Sequence, residues 1–267
     1  MRYRLQELVV GLDYHQEDLR KTAASGLGLE PEALRNFKVV RRSLDARRQP
    51  VFSFMVEFDS AATLRESRNL RRIDEEARVP VLEGLDLKAK ERPLVVGAGP
   101  AGLMAALVLA RNGLKPVLIE RGSEVARRSG QVEKFWHGGA LNPESNVLFG
   151  EGGAGLFSDG KLTARSKDRQ GIRYFFETLV ACGADPGILV DAEPHVGTDQ
   201  LKQVVPHMTK LIVEAGGEIR FDTRLEDVTL MQGRVSAVTI NGAKSAARQV
   251  VLATGHSADD VYEMLER

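Results

Sequence analysis

The sequence predicts an α/β protein: a parallel sheet with crossover helices, preceded by a small α+β module. Three observations predict it. The apolar run Leu94-Val95-Val96 passes through Gly97-Ala98-Gly99-Pro100-Ala101-Gly102 into a helical pattern, and a second apolar run, Val117-Leu118-Ile119, ends at Glu120. Further helical and strand-like runs follow, closing on Gln249–Ala253 and then Thr254-Gly255. Upstream, residues 1–90 have their own strand pattern and end in a charged, proline-punctuated stretch, Arg78 to Arg92, that reads as a linker.

The front module, residues 1–90, opens with a strand over Arg4–Val10 and a helix from Gln16. Asn36–Ser43 and Pro50–Phe58 read as two strands joined by a hairpin loop over Asp45–Gln49. Phe52, Phe54, Val56 and Phe58 fall on one face of the second of these, which marks it as half-buried. Ala61–Leu70 is expected to be a second helix, giving a βαββα order compatible with an α+β sandwich. Arg41, Arg42, Arg47 and Arg48 cluster around the hairpin. Such a patch could contact RNA or an acidic partner, but a solvated hairpin offset by Asp45 accounts for it without either.

The second module, residues 91–267, begins with the glycine-rich unit, and each residue type there has a physical reason. Gly97 allows the tight turn off the strand, Gly99 lets the backbone approach a pyrophosphate, and Gly102 lets the helix pack on the strand. Pro100 suits the first helical position, where its missing N–H has no intrahelical partner to lose. The N–H groups of Ala101 and Gly102 point at the phosphates, aided by the helix dipole. Asn112-Gly113 is the helix stop, and Glu120 stands at the spacing of roughly 20 residues expected of a ribose ligand. This is a dinucleotide-binding βαβ unit, and by itself it does not separate NAD from FAD.

Beyond it lies a glycine-rich region, Phe149 to Lys161, then helices over Gly171–Cys182 and from an N-cap at Thr198 or Asp199 to Gly216-Gly217. Pro206 inside that last helix costs about 3 kcal/mol, so a kink or restart is expected there. Glu218–Phe221, Val228–Met231 and Arg234–Ile240 read as strands, with an Asn241-Gly242 turn after the third. A helix over Ala258–Glu266 is expected to start in a capping box of Ser257 and Asp260.

Composition narrows the class. The 267 residues carry 43% hydrophobic and 28% charged residues with a formal net charge of zero, so no global charge favours nucleic acid or an anionic membrane. There is no signal-peptide pattern and no run long enough to span a bilayer, which makes the cytoplasm the expected compartment. The single cysteine, Cys182, rules out an intrachain disulfide, a CxxC redox pair and a cysteine-ligated cluster within these residues, and reads as a structural thiol. His15, His137 and His207 have no metal-ligand spacing, so no metal is expected, and nothing forms a Ser-His-Asp system.

A helix, a strand, a small meander and a strand ending in Ala253-Thr254-Gly255 resemble the two-dinucleotide-binding flavoproteins. Narrower likenesses lie in Arg41–Arg47, Leu141–Asn146, Phe149–Gly155 with Ser158–Leu162, His195–Asp199 and Ala253–Ser257. Together these resemble the bacterial FAD-dependent dehydrogenases of unassigned substrate, which carry a small ferredoxin-like domain before a Rossmann-like FAD domain of parallel sheet plus β-meander. That resemblance implies an FAD-dependent oxidoreductase. It places Gly97, Gly99, Pro100, Ala101 and Gly102 on the pyrophosphate and Glu120 on the adenosine ribose. Arg121 or Arg128 would add charge near the phosphates. Val228 would contact adenine through its backbone, and Thr254 and Gly255 would pass near the flavin. Lys161 with its neighbouring glycines would approach flavin or substrate, and His256 would either touch the flavin or end a turn. His195 reads as structural, and no catalytic residue is assigned.

Members of that class return to the FAD domain late in the chain, where a Gly-Asp motif binds the ribitol. These residues stop at Arg267 without one, so a truncated product, a gene fragment or one half of a split pair is expected, binding FAD weakly or not at all on its own and turning over little. The implied partners are a small-molecule substrate and NAD(P)H or another electron donor or acceptor, with no membrane and no nucleic acid. The alternatives are an NAD(P)-binding oxidoreductase and a non-catalytic FAD-binding remnant acting as a protein or RNA interaction module.

Overall fold

The computed structural model describes residues 1–74, 91–163 and 166–267; the expected linker lies largely outside them. Contacts divide the chain into two units. One comprises Met1–Val79, Leu162–Arg173 and Asp185–Pro194, the other Pro80–Lys161, Tyr174–Ala184 and His195–Arg267.

The first unit is built on β1 (Arg2–Val10), α1 (Gln16–Leu27), β2 (Arg35–Asp45), β3 (Val51–Asp59) and β4 (Leu70–Ile73), in the antiparallel order β2-β3-β1-β4. Phe54, Val56 and Phe58 of β3 are buried with Tyr3, Leu8, Leu19 and Leu34, and each such side chain contributes about 1.5–3 kcal/mol. The helix expected over Ala61–Leu70 does not form. Ser60 Oγ accepts the N–H of Ala62, Ser67 Oγ accepts that of Leu70, and Tyr3 Oη accepts that of Leu64. Side-chain acceptors that capture backbone donors locally displace the helical ladder, and Leu70–Ile73 is left to pair with β1.

The second unit contains β5 (Leu94–Val96), α2 (Pro100–Arg111), β6 (Val117–Ile119), α3 (Val125–Trp136), the part of α4 (Arg169–Ala181) from Tyr174 onward, α5 (Thr198–Glu214) and β7 (Glu218–Arg220). A meander, β8 (Leu225–Met231), β9 (Arg234–Ile240) and β10 (Ala243–Ala246), precedes β11 (Val250–Leu252) and α6 (Asp259–Glu266). The strands β11-β5-β6-β7 form a parallel sheet in that order, and the meander is a separate antiparallel sheet. On α2 the buried residues Leu103, Ala106, Leu107 and Ala110 recur at helical spacing, with Ala106 small enough for close contact. Among the described residues no helix is long and apolar enough to cross a membrane.

Three local expectations are corrected, and one unforeseen helix is added. α5 is capped by Gly197, not by Thr198 or Asp199, and it runs through Pro206 without a restart. β8 begins at Leu225, three residues before the expected Val228. α3 was not foreseen, because its buried face reads Val125, Arg128, Val132 and an arginine interrupts the apolar stripe. The Ser257 capping box is absent: α6 is capped by Ala258, and Asp260 is held in ion pairs with Arg121 and Arg224.

Candidate cofactor-binding site

From β5 the chain crosses to β6 and then β7 on one side, whereas β11 joins β5 on the other. Strand order therefore reverses beside β5, and in open parallel sheets such a switch point leaves a crevice at the carboxyl ends of the strands. A cavity of about 250 Å³ lies there, and its walls include Gly97, Gly99, Glu120, Leu225, Thr254 and Gly255.

The glycines do what their positions demand. Gly97 adopts φ 101°, a region that favours glycine, and a Cβ there would strike the Ala253 carbonyl. A Cβ on Gly102 would strike the carbonyl oxygen of Gly97, so α2 packs on the turn only with glycine at that position. Gly99 is the N-cap of α2 with Pro100 at the first helical position, and its backbone faces the cavity. Across from it Gly153 comes so close that an added Cβ would meet Gly99 Cα at 3.1 Å. The result is a cradle walled by backbone.

Glu120 is buried, and both its oxygens hold backbone donors. Oε2 accepts the Ala98 N–H at 2.7 Å; Oε1 accepts those of Gly122 and Gly150, each at 2.9 Å. One carboxylate thus joins the first turn, the end of β6 and the glycine-rich loop. Each carboxylate oxygen has two lone-pair sites, so Oε2 retains acceptor capacity for a hydroxyl in the cavity.

Arg121 lines the cavity with its guanidinium 4.5 Å over the Phe149 ring. It donates to Glu144 at 2.8 Å and Asp260 at 3.0 Å. Burial disfavours its charge, but the two carboxylates outweigh burial and hold its pKa above the ordinary arginine value. Arg128 sits elsewhere than the expected phosphate position. It is fully buried, outside the cavity walls, and donates to the carbonyls of Asn146, Gly150, Glu151 and Gly153. Burial pushes its pKa down to about 10, which leaves it charged at neutral pH. Its work is to fold the 146–153 loop around one cation.

Val228 lies outside the cavity walls; Thr223, Arg224 and Leu225 are in them. The earlier start of β8 explains the shift. Sequence reasoning missed Arg224, which no motif marks, read Asp260 only as half of a capping box, and missed Phe149 as a ring beneath a cation. His256 and Ser257 line the cavity, whereas Lys161 lies outside its walls and pairs with Asp159 at 3.0 Å. Cys182 is buried, and burial raises its thiol pKa, as for an unreactive structural residue.

A backbone-walled cradle at a helix N-terminus fits a pyrophosphate, and a buried carboxylate with spare acceptor capacity fits a ribose hydroxyl. Arg224 Nε adds a buried donor with no acceptor among the described residues. The fold and site define a dinucleotide-binding α/β domain.

The chain belongs to the FAD binding domain family, whose model matches residues 92–252, so the dinucleotide is FAD. Residues 2–59 match a domain of unknown function, DUF8436. An uncharacterized protein of Clostridium beijerinckii is 40% identical over 275 residues, covering all of this chain. The chain spans about half, 51%, of that relative's length. Similar solved structures include Thermovibrio ammonificans THI4, at 22% identity and TM-score 0.43 over 66% of this chain and 61% of that one. A glycine oxidase from Bacillus cereus is 15% identical, with TM-score 0.40 over 61% of this chain and 55% of that one.

Proposed function

We propose that this chain forms the FAD-binding part of a flavin-dependent oxidoreductase, with the cofactor lying along the carboxyl ends of β6, β5 and β11. One observation carries the reading: the Gly97–Ala101 turn, Glu120 and Thr254-Gly255 line one cavity at the switch point of the parallel sheet.

In this reading the α2 N-terminus and the N–H groups of Ala101 and Gly102 hold the pyrophosphate. Glu120 takes an adenosine ribose hydroxyl on Oε2, and the backbone at Leu225 takes the adenine edge previously expected at Val228. Thr254 and Gly255, at the end of β11, leave room for the flavin end. FAD supplies hydride or electron transfer when bound; these residues supply binding, orientation and exclusion of water.

The front unit supports the narrower likeness to dehydrogenases with a leading ferredoxin-like domain. Its order β2-β3-β1-β4 is that of a βαββαβ sheet whose second helix is replaced by an irregular segment.

Titration of FAD, NAD and NADP into the purified chain, followed by flavin fluorescence and calorimetry, tests the reading. FAD is expected to bind in the micromolar range and to be displaced by ADP. Preference for NAD or NADP over FAD would overturn it.

A further inference from the structure

Beyond Glu120, the wall residues Arg121, Arg224 and Asp260 form a closed ring with Glu144, which is not itself part of the wall. Arg121 donates to Glu144 at 2.8 Å and to Asp260 at 3.0 Å. Arg224 reaches the other oxygens of the same carboxylates, donating to Glu144 at 3.0 Å and forming an ion pair with Asp260 at 3.3 Å. Charges alternate around the ring and sum to zero. It links the end of β6, the 142–146 loop, the start of β8 and the first turn of α6, and Arg121, Arg224 and Asp260 face the cavity.

The ring's location gives it meaning. The acidic residue ending the second strand of a βαβ unit marks the adenosine ribose, and a nearby arginine is the usual device for accepting a 2′-phosphate there. Two arginines occupy that neighbourhood here, yet each is already held by two carboxylates. A phosphate monoester carries roughly −1.5 to −2 charges near neutral pH, and would meet Glu120, Glu144 and Asp260 with no uncompensated cation. A ribose with free hydroxyls meets no such opposition.

We infer that the Arg121–Glu144–Arg224–Asp260 ring is a specificity element that excludes 2′-phosphorylated adenosine from the cavity. The inference rests on the FAD reading and deepens it. The ring keeps the arginines rigid and neutralised, so the site accepts FAD and refuses ligands of the NADP kind. Removing the carboxylates while keeping both arginines should convert the wall into a phosphate site.

The test compares ADP-ribose with 2′-phospho-ADP-ribose by calorimetry on the wild type, Asp260→Asn, and the Glu144→Gln/Asp260→Asn pair. A ratio of two affinities within one variant does not depend on the fraction folded. The wild type should prefer ADP-ribose by tenfold or more. Asp260→Asn alone should narrow that about threefold, and the pair should abolish or invert it. Adding Arg224→Gln to the pair should restore the wild-type preference. An unchanged ratio in both variants, with FAD still bound by the wild type, overturns the inference alone. Failure of the wild type to bind either FAD or ADP-ribose overturns the FAD reading and the inference with it.

Discussion

Glu120 Oε2 accepts the backbone N–H of Ala98 at 2.7 Å, joining the end of β6 to the turn that follows β5. The carboxylate proposed to take the ribose is therefore also a structural clamp, since its other oxygen holds Gly122 and Gly150. Glu120→Gln can retain the acceptor at one oxygen but places an amide donor against N–H groups at the other. Loss of charge-assisted bonds of this kind costs about 1.5–3 kcal/mol. Urea unfolding should register that loss, and FAD affinity should fall at least tenfold.

The turn itself is tested by Gly97→Ala. The new methyl would meet the Ala253 carbonyl, and alanine is strained at φ 101°. A destabilisation of roughly 2–4 kcal/mol is expected, from backbone strain plus overpacking. Melting temperature and FAD titration should fall together; an unchanged melting point would show that the turn is not built as described.

Arg128→Met removes one cation from four carbonyls; those of Gly150 and Gly153 keep backbone N–H partners, whereas those of Asn146 and Glu151 have no other donor among the described residues. Unpaired buried acceptors cost about 1–3 kcal/mol each where the loop cannot relax. The variant should lose several kcal/mol overall and lose FAD binding, even though Arg128 does not line the cavity. Arg128→Lys should rescue only part of either, because a point charge cannot reproduce the forked geometry.

Two glutamates, the half-buried Glu144 and the buried Glu151, should give opposite pH signatures. For Glu144, burial raises the carboxyl pKa, but Arg121 and Arg224 outweigh it and leave it below the ordinary 4.5. Its contribution to stability is present above pH 4.5 and is lost as pH falls through the folded value. For Glu151, burial dominates over Thr209, the Val125 N–H and Arg128, so its pKa is raised above 4.5. Its folded form favours the proton, so stability is greatest below pH 4.5 and falls as pH rises through the folded value. Melting temperatures from pH 3 to 7 should show a shallower acid loss in Glu144→Gln and a shallower loss on the rising side in Glu151→Gln.

What the sequence reveals follows from where each signal resides. The β5–α2–β6 unit is legible because local glycines, a proline and a small-residue helix face encode it within about thirty residues. The meander and β11 are legible from strand patterns and the Asn241-Gly242 turn. α3 is hidden because Arg128 occupies its buried face, and its carbonyl partners lie 18 to 25 residues away. The ring is hidden for the same reason: Arg121 and Asp260 are 139 residues apart, and the local pattern at Asp260 reads as a capping box. Ala61–Leu70 has helical composition, but Ser60, Ser67 and Tyr3 capture its backbone donors.

A crystal structure of the chain soaked with FAD tests the central claim most directly. The adenosine ribose should lie on Glu120, the pyrophosphate over Gly99–Ala101 and the flavin end toward Thr254-Gly255. Nucleotide bound in the reverse direction, or density elsewhere with this cavity empty, would contradict the account.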